Sequence, residues 1–292
     1  MEGAGWQAAG VPERPGLTVV VPTRDRPKHL ARCLEALRAD LGPQDELLVV
    51  DSASRVPVGG ALRCERPGAS LARNAGWRAA AHDLVAFVDD DVQVCPGWAD
   101  AMVAQLERSV WVAGAVGVPP GQEGCDRPVA VTTLVVPTPL TAASRGTLGA
   151  TANLGVRREA LASVDGFDER LGPGTWARAA EDLDLLDRLL AAGHEGWFAP
   201  EARAVHDQWR SRRDLVRLDH GYGIGLGARL VLLRRRGQKG RARTVARDAV
   251  WQGTVLTGLG DVRKRYELGA LCAAVRLVGV LQGAVRAAVV LR

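Results

Sequence analysis

Three consecutive carboxylates, Asp89-Asp90-Asp91, close the apolar run LVAFV. Adjacent negative charges repel, so a folded chain holds them together only with a compensating cation or with full solvation. Two oxygen ligands beside a phosphate-bearing substrate suit Mg2+ or Mn2+; a solvated acidic turn after a strand is the alternative reading. Asp51 ends a second run, ELLVVD, where a carboxylate can accept hydrogen bonds from a ribose or a base edge. Glu181-Asp182 opens EDLDLLDRLLAA behind a Gly/Pro loop. A carboxylate there can serve as a general base, or it can simply offset the positive end of a helix for under about 1 kcal/mol. Asp184 and Asp187 read as surface or structural members of that helix. His206 closes the run ARAVH and is one of five histidines; a strand-end histidine is a ligand candidate only where a metal site is otherwise indicated.

Positioning these groups requires strands that end at a common edge. The runs Leu17–Pro22, Glu46–Asp51 and Leu84–Asp89 are short, apolar and rich in β-branched residues, as buried strands are. Helical patterns lie between them: one opens at Pro27 with Leu30, Leu34 and Leu37 on one face, and a loop-then-helix covers Gly68–Ala81. Downstream, the pattern predicts a helix at Trp98–Glu107, strands at Val110–Val118, Val129–Val136 and Thr147–Val156, and a short helix at Arg158–Val164. A loop of turn residues over Asp165–Arg178 precedes a helix at Glu181–Ala192, stopped by Gly193, and a last short strand at Ala202–His206. Strands alternating with helices imply an α/β fold, a mostly parallel sheet covered on both faces. Its ligands sit beyond the carboxyl ends of the strands, where Thr23, Asp51 and Asp89–Asp91 fall.

The exclusions narrow the chemistry. PTRD, not a glycine turn, follows the first strand, so GxGxxG is missing and a dehydrogenase is disfavoured. Neither a GxxxxGK[ST] loop nor a GxSxG elbow is present. A nucleotide-diphosphate site built on metal and carboxylates is the economical reading. The 292 residues, 47% hydrophobic and 24% charged, are ordinary for a globular chain able to bury its own core. Aromatic residues at 4% weaken the case for RNA binding by stacking. Five scattered cysteines, Cys33, Cys64, Cys95, Cys125 and Cys272, form no metal or disulfide spacing and read as reduced core thiols of a cytoplasmic protein. Residues 1–16, rich in Gly and Pro, read as a flexible lead rather than a signal peptide. The apolar tail from Leu268 is interrupted by Arg276 and Arg286, so no uninterrupted spanning segment is expected.

In this order the pieces resemble the family-2 glycosyltransferases of GT-A fold. The resemblance runs from about Leu17 to His206, through VVVPTRDRPKHLARCLEAL, ELLVVDSAS, GASLARNAGWRAA, LVAFVDDDV, TANLGVRREAL, DGFDERLG and EDLDLLDRLLAAGHE. It implies a nucleotide-diphosphate sugar donor, a hydroxyl-bearing acceptor (glycan, lipid-linked or small molecule), Mn2+ or Mg2+, and inversion at the anomeric carbon. Thr23, Asp51 and Arg73 match donor contacts, and Asp89, Asp90 and Asp91 the DXD region. Asp91 is the expected direct metal ligand, with Asp89 and Asp90 toward ribose or metal. His206 matches the strand-end histidine that can complete the coordination, and Asp182 matches the catalytic base. Ser52 stands where many members carry an acid or Asn. Trp176, just after the Gly172–Gly174 loop, and Glu181 are assigned to the acceptor side, the loop with Trp176 as a flap that excludes water. A sugar nucleotidyltransferase or a non-catalytic nucleotide-sugar-binding scaffold are the competing readings.

The remainder, residues 207–292, reads as a helical extension with 18 Lys+Arg against 6 Asp+Glu. Residues 230–247 hold seven of those cations and no acid. Such a tail suits an anionic membrane surface at the inner face, a phosphate-bearing acceptor, or pairing with the acidic body of its own or a second subunit as a homodimer. Nucleic acid is disfavoured, because no recognised motif accompanies the charge.

Overall fold

A computed structural model describes residues 14–124, 128–144, 149–255 and 263–291. The first part of the expected lead, Cys125, and Thr147 and Leu148 of an expected strand lie outside these residues. In chain order the elements are β1 (Leu17–Thr23), α1 (Pro27–Asp40), β2 (Glu46–Ser52), β3 (Leu62–Cys64), α2 (Ala69–Ala79), β4 (Leu84–Val88), β5 (Val92–Val94) and α3 (Trp98–Leu106). There follow β6 (Trp111–Gly117), β7 (Thr138–Leu140), β8 (Asn153–Arg157), α4 (Arg158–Ser163), α5 (Glu181–Ala191) and β9 (Gly196–His206). Three helices close the chain: α6 (Arg212–Arg235), α7 (Lys239–Val255) and α8 (Arg263–Val290).

The strands form one sheet in the order β3-β2-β1-β4-β8-β6-β9-β5, with β7 on β9. The first half is parallel: β1 lies between β2 and β4. β8 then runs antiparallel to both β4 and β6, and β5 and β7 antiparallel to β9. The sheet is therefore mixed, more so than the apolar runs alone suggested. Alternation along β1 sends Val19 and Val21 into one core layer, with α1 and α3, and Val20 into the other, with α2 and α5. Close packing of α2 on β1 depends on Gly76, where a Cβ would sit 2.3 Å from a Val20 methyl.

Three expected strands differ, the first being Thr147–Val156, whose described part enters the sheet only at Asn153. Residues 129–136 form no strand: Thr132 holds the loop to β6 by accepting from Val116 N and donating its own N–H to Val116 O. Thr132 meets β6 at Val116, beyond Ala113 where the β8–β6 ladder ends, and the segment does not run on into a ladder of its own. The last strand begins at Gly196 rather than at residue 202, extended by its ladder to β6. Among the described cysteines none forms a disulfide, and Cys33, Cys64 and Cys272 are buried.

Candidate active site

The carboxyl ends of β1, β2 and β4 open into a cavity of about 770 Å3, within the range of small-ligand sites. Asp89–Asp91 form the turn between β4 and β5, closed by the Val92 N–H on Asp89 O. The three like charges tolerate one another because each carboxylate has its own partner. Arg73 Nη2 donates to Asp89 Oδ1 at 2.7 Å. Arg26 Nη1 and Thr23 Oγ1 donate to Asp90 at 2.9 and 2.7 Å. His206 Nε2 faces Asp91 Oδ1 at 3.3 Å, and the Trp209 indole donates to Asp91 Oδ2 at 2.9 Å.

Strand register makes the meeting of Asp91 and His206. Val92 pairs with His206 in the β5–β9 ladder, and the Asp207 N–H donates to Asp91 O. Burial alone would push the Asp91 carboxyl up; the hydrogen bond and charge of His206, the Trp209 indole and Arg26 outweigh it and hold Asp91 below the usual carboxylate range. For the buried Asp90 burial wins over Arg26 and Thr23, and its carboxyl is raised.

The facing wall is the start of α5. Arg73, buried on α2, bridges the two walls, its Nη1 donating to Glu181 Oε1 at 3.0 Å while Nη2 holds Asp89. Gly172 (φ 93°) makes room for this arrangement, since a Cβ there would lie 2.9 Å from the Glu181 carboxyl carbon. Two non-glycine residues just upstream, Arg178 (φ 62°) and Ala180 (φ 75°), take the left-handed conformation. Such strain, of order 1–3 kcal/mol each, concentrates where side chains are aimed at a ligand. Burial, with the Asp182 charge adding to it and Arg73 opposing, lifts Glu181 to about 7. Burial likewise raises Asp182. The Asp182 carboxylate accepts from the Leu183 N–H at 2.7 Å, and no ion pair ties it down among the described residues.

The cavity wall includes Thr23, Arg73, Asp89, Asp90, Asp91, Glu181, Asp182 and His206 together. Asp51 and Trp176 are elsewhere. The Asp51 carboxylate is fully buried and accepts from Ser54 N, Val58 N and Arg63 Nη1, organising the turn after β2, while its neighbour Ser52 reaches the cavity. Trp176 packs with Leu171, Ala228 and Ala287, under the Arg286 guanidinium at 5.3 Å, instead of standing over the cavity. Pro173 and Gly174 of the same loop do line it.

Asp184 and Asp187 are buried, not surface members of α5. Asp187 takes a bidentate contact from Arg229 of α6 (2.6 and 2.8 Å) and one from Arg241 of α7 (2.9 Å); Asp184 pairs with Arg188 and with Arg236. Arg229, Arg236 and Arg241 of the basic tail thus clamp it to the acidic body of the same chain. Sequence reading also passed over Arg26 and Arg210. Arg210 Nη2 lies 3.6 Å from Asp91 Oδ2, and its Nη1 is a buried donor with no hydrogen-bond partner among the described residues; Arg210 lines the cavity. Proximity in sequence to Thr23 and to His206 is the signal that could have drawn attention to them.

The glycosyl transferase family 2 profile matches residues 60–140, which span α2, the Asp89–Asp91 turn and β6. The pre-mycofactocin glycosyltransferase of Mycobacterium tuberculosis is 28% identical over 232 residues, covering 73% of this chain and 47% of that protein. The succinoglycan biosynthesis protein ExoM of Rhizobium meliloti is 28% identical over 197 residues, 67% of this chain and 58% of ExoM. The chain spans about half the length of the curated relatives it matches. Among solved structures, the Pyrobaculum calidifontis mannosyltransferase PcManGT with GDP-Man and Mn2+ superposes with TM-score 0.59 at 17% identity, covering 92% of this chain and 88% of that one. S. aureus TarS 1-349 superposes with TM-score 0.58 at 14% identity, covering 93% and 83%.

The chain has the GT-A fold of these glycosyltransferase structures, and its residues 60–140 match the family-2 model. The three-aspartate turn, the strand-end histidine and the start of α5 line one cavity.

Proposed function

We propose that the chain is an inverting glycosyltransferase that moves a sugar from a nucleotide-diphosphate donor to an acceptor hydroxyl, with Asp182 as general base. The observation that carries this reading is the cavity itself: Asp91 and His206 meet at one end, and the unpaired Asp182 carboxylate stands on the facing wall. The curated relatives named as glycosyltransferases support sugar transfer. The structures with GDP-Man and Mn2+, and of GalNAc-T7 with UDP, GalNAc and Mn2+, support a nucleotide-sugar donor and a divalent ion.

The residues fit such an ion. Asp91 offers a hard oxygen and His206 a ring nitrogen, 3.3 Å apart. Among the described residues no group of three His, Cys, Asp or Glu side chains closes a metal site. Asp91 and His206 as the two protein ligands would leave positions for phosphate oxygens and water, as Mg2+ and Mn2+ sites of nucleotide enzymes require. Asp89, expected as a further ligand, is held by Arg73 instead. When bound, the ion would supply positive charge for the departing diphosphate. Arg26 and Arg210 stand beside the same aspartates and offer charge-assisted donors to it.

On the acceptor side, Asp182 orients the hydroxyl and takes its proton as the oxygen bonds to the anomeric carbon. The carbon–oxygen bond to the diphosphate breaks on the opposite face, and its electrons leave with the diphosphate. General-base catalysis of this kind contributes typically about 10²–10⁴-fold. Asp182→Asn should therefore lose transfer by that factor while keeping donor affinity, measured by calorimetry with UDP- and GDP-sugars in the presence of Mn2+. Donor affinity indifferent to Mn2+, Mg2+ and Asp91→Ala would overturn the metal assignment, and unchanged turnover in Asp182→Asn the base assignment.

A further inference from the structure

From Leu271 to Val290 the outer face of α8 is apolar. Leu271, Val278, Leu281, Val285 and Val289 are each at least half exposed, and among the exposed positions of 271–290 only Gln282 and Arg286 are polar. Soluble surfaces rarely carry so long an unbroken apolar stripe. By length and composition Leu271–Val290 could cross a bilayer despite Arg276 and Arg286, which the uninterrupted-run criterion passed over. Its packing says otherwise. A Cβ on Gly279 would lie 2.4 Å from His220 O, and on Gly283 2.0 Å from Ile224 O, so α8 is seated backbone to backbone on α6. α6 is in turn clamped to the catalytic body through Arg229–Asp187 and Arg236–Asp184. The helix is held alongside the domain, its stripe facing outward.

We propose that α8 lies in the plane of an anionic phospholipid surface, its stripe in the acyl boundary, and docks the enzyme there. Charge selects this occupant. No acid follows Glu267 in the sequence. Arg235 Nη2 donates to Ala288 O at the edge of the stripe, and Arg234 and Arg286 are exposed nearby in the chain. Arginine stems that run along an apolar face with the guanidinium at its edge are suited to lipid headgroups. Leu271, Ala274, Val278, Leu281, Val285 and Ala288 also have the 3-4 spacing of a coiled-coil seam. A second copy would bring two basic edges together with no acid between them, which disfavours that alternative.

Flotation of the full chain with vesicles of phosphatidylcholine, with and without one-third phosphatidylglycerol, tests the proposal. The protein should float with the anionic vesicles. The double substitution Leu281→Asp/Val285→Asp should lower partitioning by about tenfold or more. Arg234→Gln/Arg235→Gln should lower it several-fold, an effect that high salt erases. An unchanged thermal midpoint and unchanged nucleotide-sugar binding keep this test separate from the catalytic assignment. Failure of the unsubstituted chain to float would overturn the proposal. So would a dimer, seen by light scattering, that the Asp pair dissociates while vesicle binding stays the same.

Discussion

Replacing Arg73 by methionine tests whether one guanidinium holds both walls of the cavity. Arg73 is buried, and it pairs with Glu181, also buried, and with Asp89, whose side chain is 30% exposed. Removing one member of a buried ion pair costs about 3–5 kcal/mol, because the remaining charge is left uncompensated. For a chain of this size that is a fall in Tm of roughly 5–8 °C. The pH dependence is the sharper signature. Glu181 is raised to about 7 from its ordinary 4.5, so the folded protein holds a proton there more tightly than the unfolded chain does. Its contribution to stability is full below the unfolded value and is lost as pH rises through about 7. Without Arg73 the folded value climbs further, and the loss continues above 7 by as much as about 1.4 kcal/mol per pH unit for one proton. Chemical denaturation of both proteins from pH 5.5 to 8.5 reads this directly. A difference in stability that is flat across that range, or smaller than about 1 kcal/mol at pH 8, would refute the bridge.

Other perturbations follow from the same contacts. Asp187→Ala leaves Arg229 and Arg241 facing an empty buried site and should cost about 3–5 kcal/mol, measured by urea denaturation. Gly283→Val places a side chain where a Cβ already meets Ile224 O at 2.0 Å; hydrogen exchange should show α8 losing protection while the sheet keeps it. Gly172→Ala combines a positive φ with a clash against the Glu181 carboxyl; a loss of about 1–3 kcal/mol and an altered pH profile of transfer are expected. With Glu181→Gln the charge beside Asp182 is gone, so the rising limb of the rate against pH should move to lower pH; an unmoved limb would separate the two carboxylates.

Much of this protein is legible along the chain, because its information is local. The all-apolar runs of β1 and β4, the Pro27 start of α1, and the acid-led helix stopped by Gly193 each follow from burial and helix-end electrostatics within a dozen residues. The strand-end positions of Thr23 and Asp89–Asp91 follow from the same runs, and so does the α/β class. What the tertiary structure decided are meetings between distant segments. The pairing of Val92 with His206 sets the imidazole against Asp91, and no local pattern encodes that register. Arg73 reads in sequence as a donor contact, yet its guanidinium spans two walls. Asp184 and Asp187 look like solvent-facing acids of an amphipathic helix until α6 and α7 arrive with Arg229, Arg236 and Arg241. Charge on a helix is indifferent, at the level of sequence, to whether water or an arginine will neutralise it. Only packing, which removes the water, makes the choice.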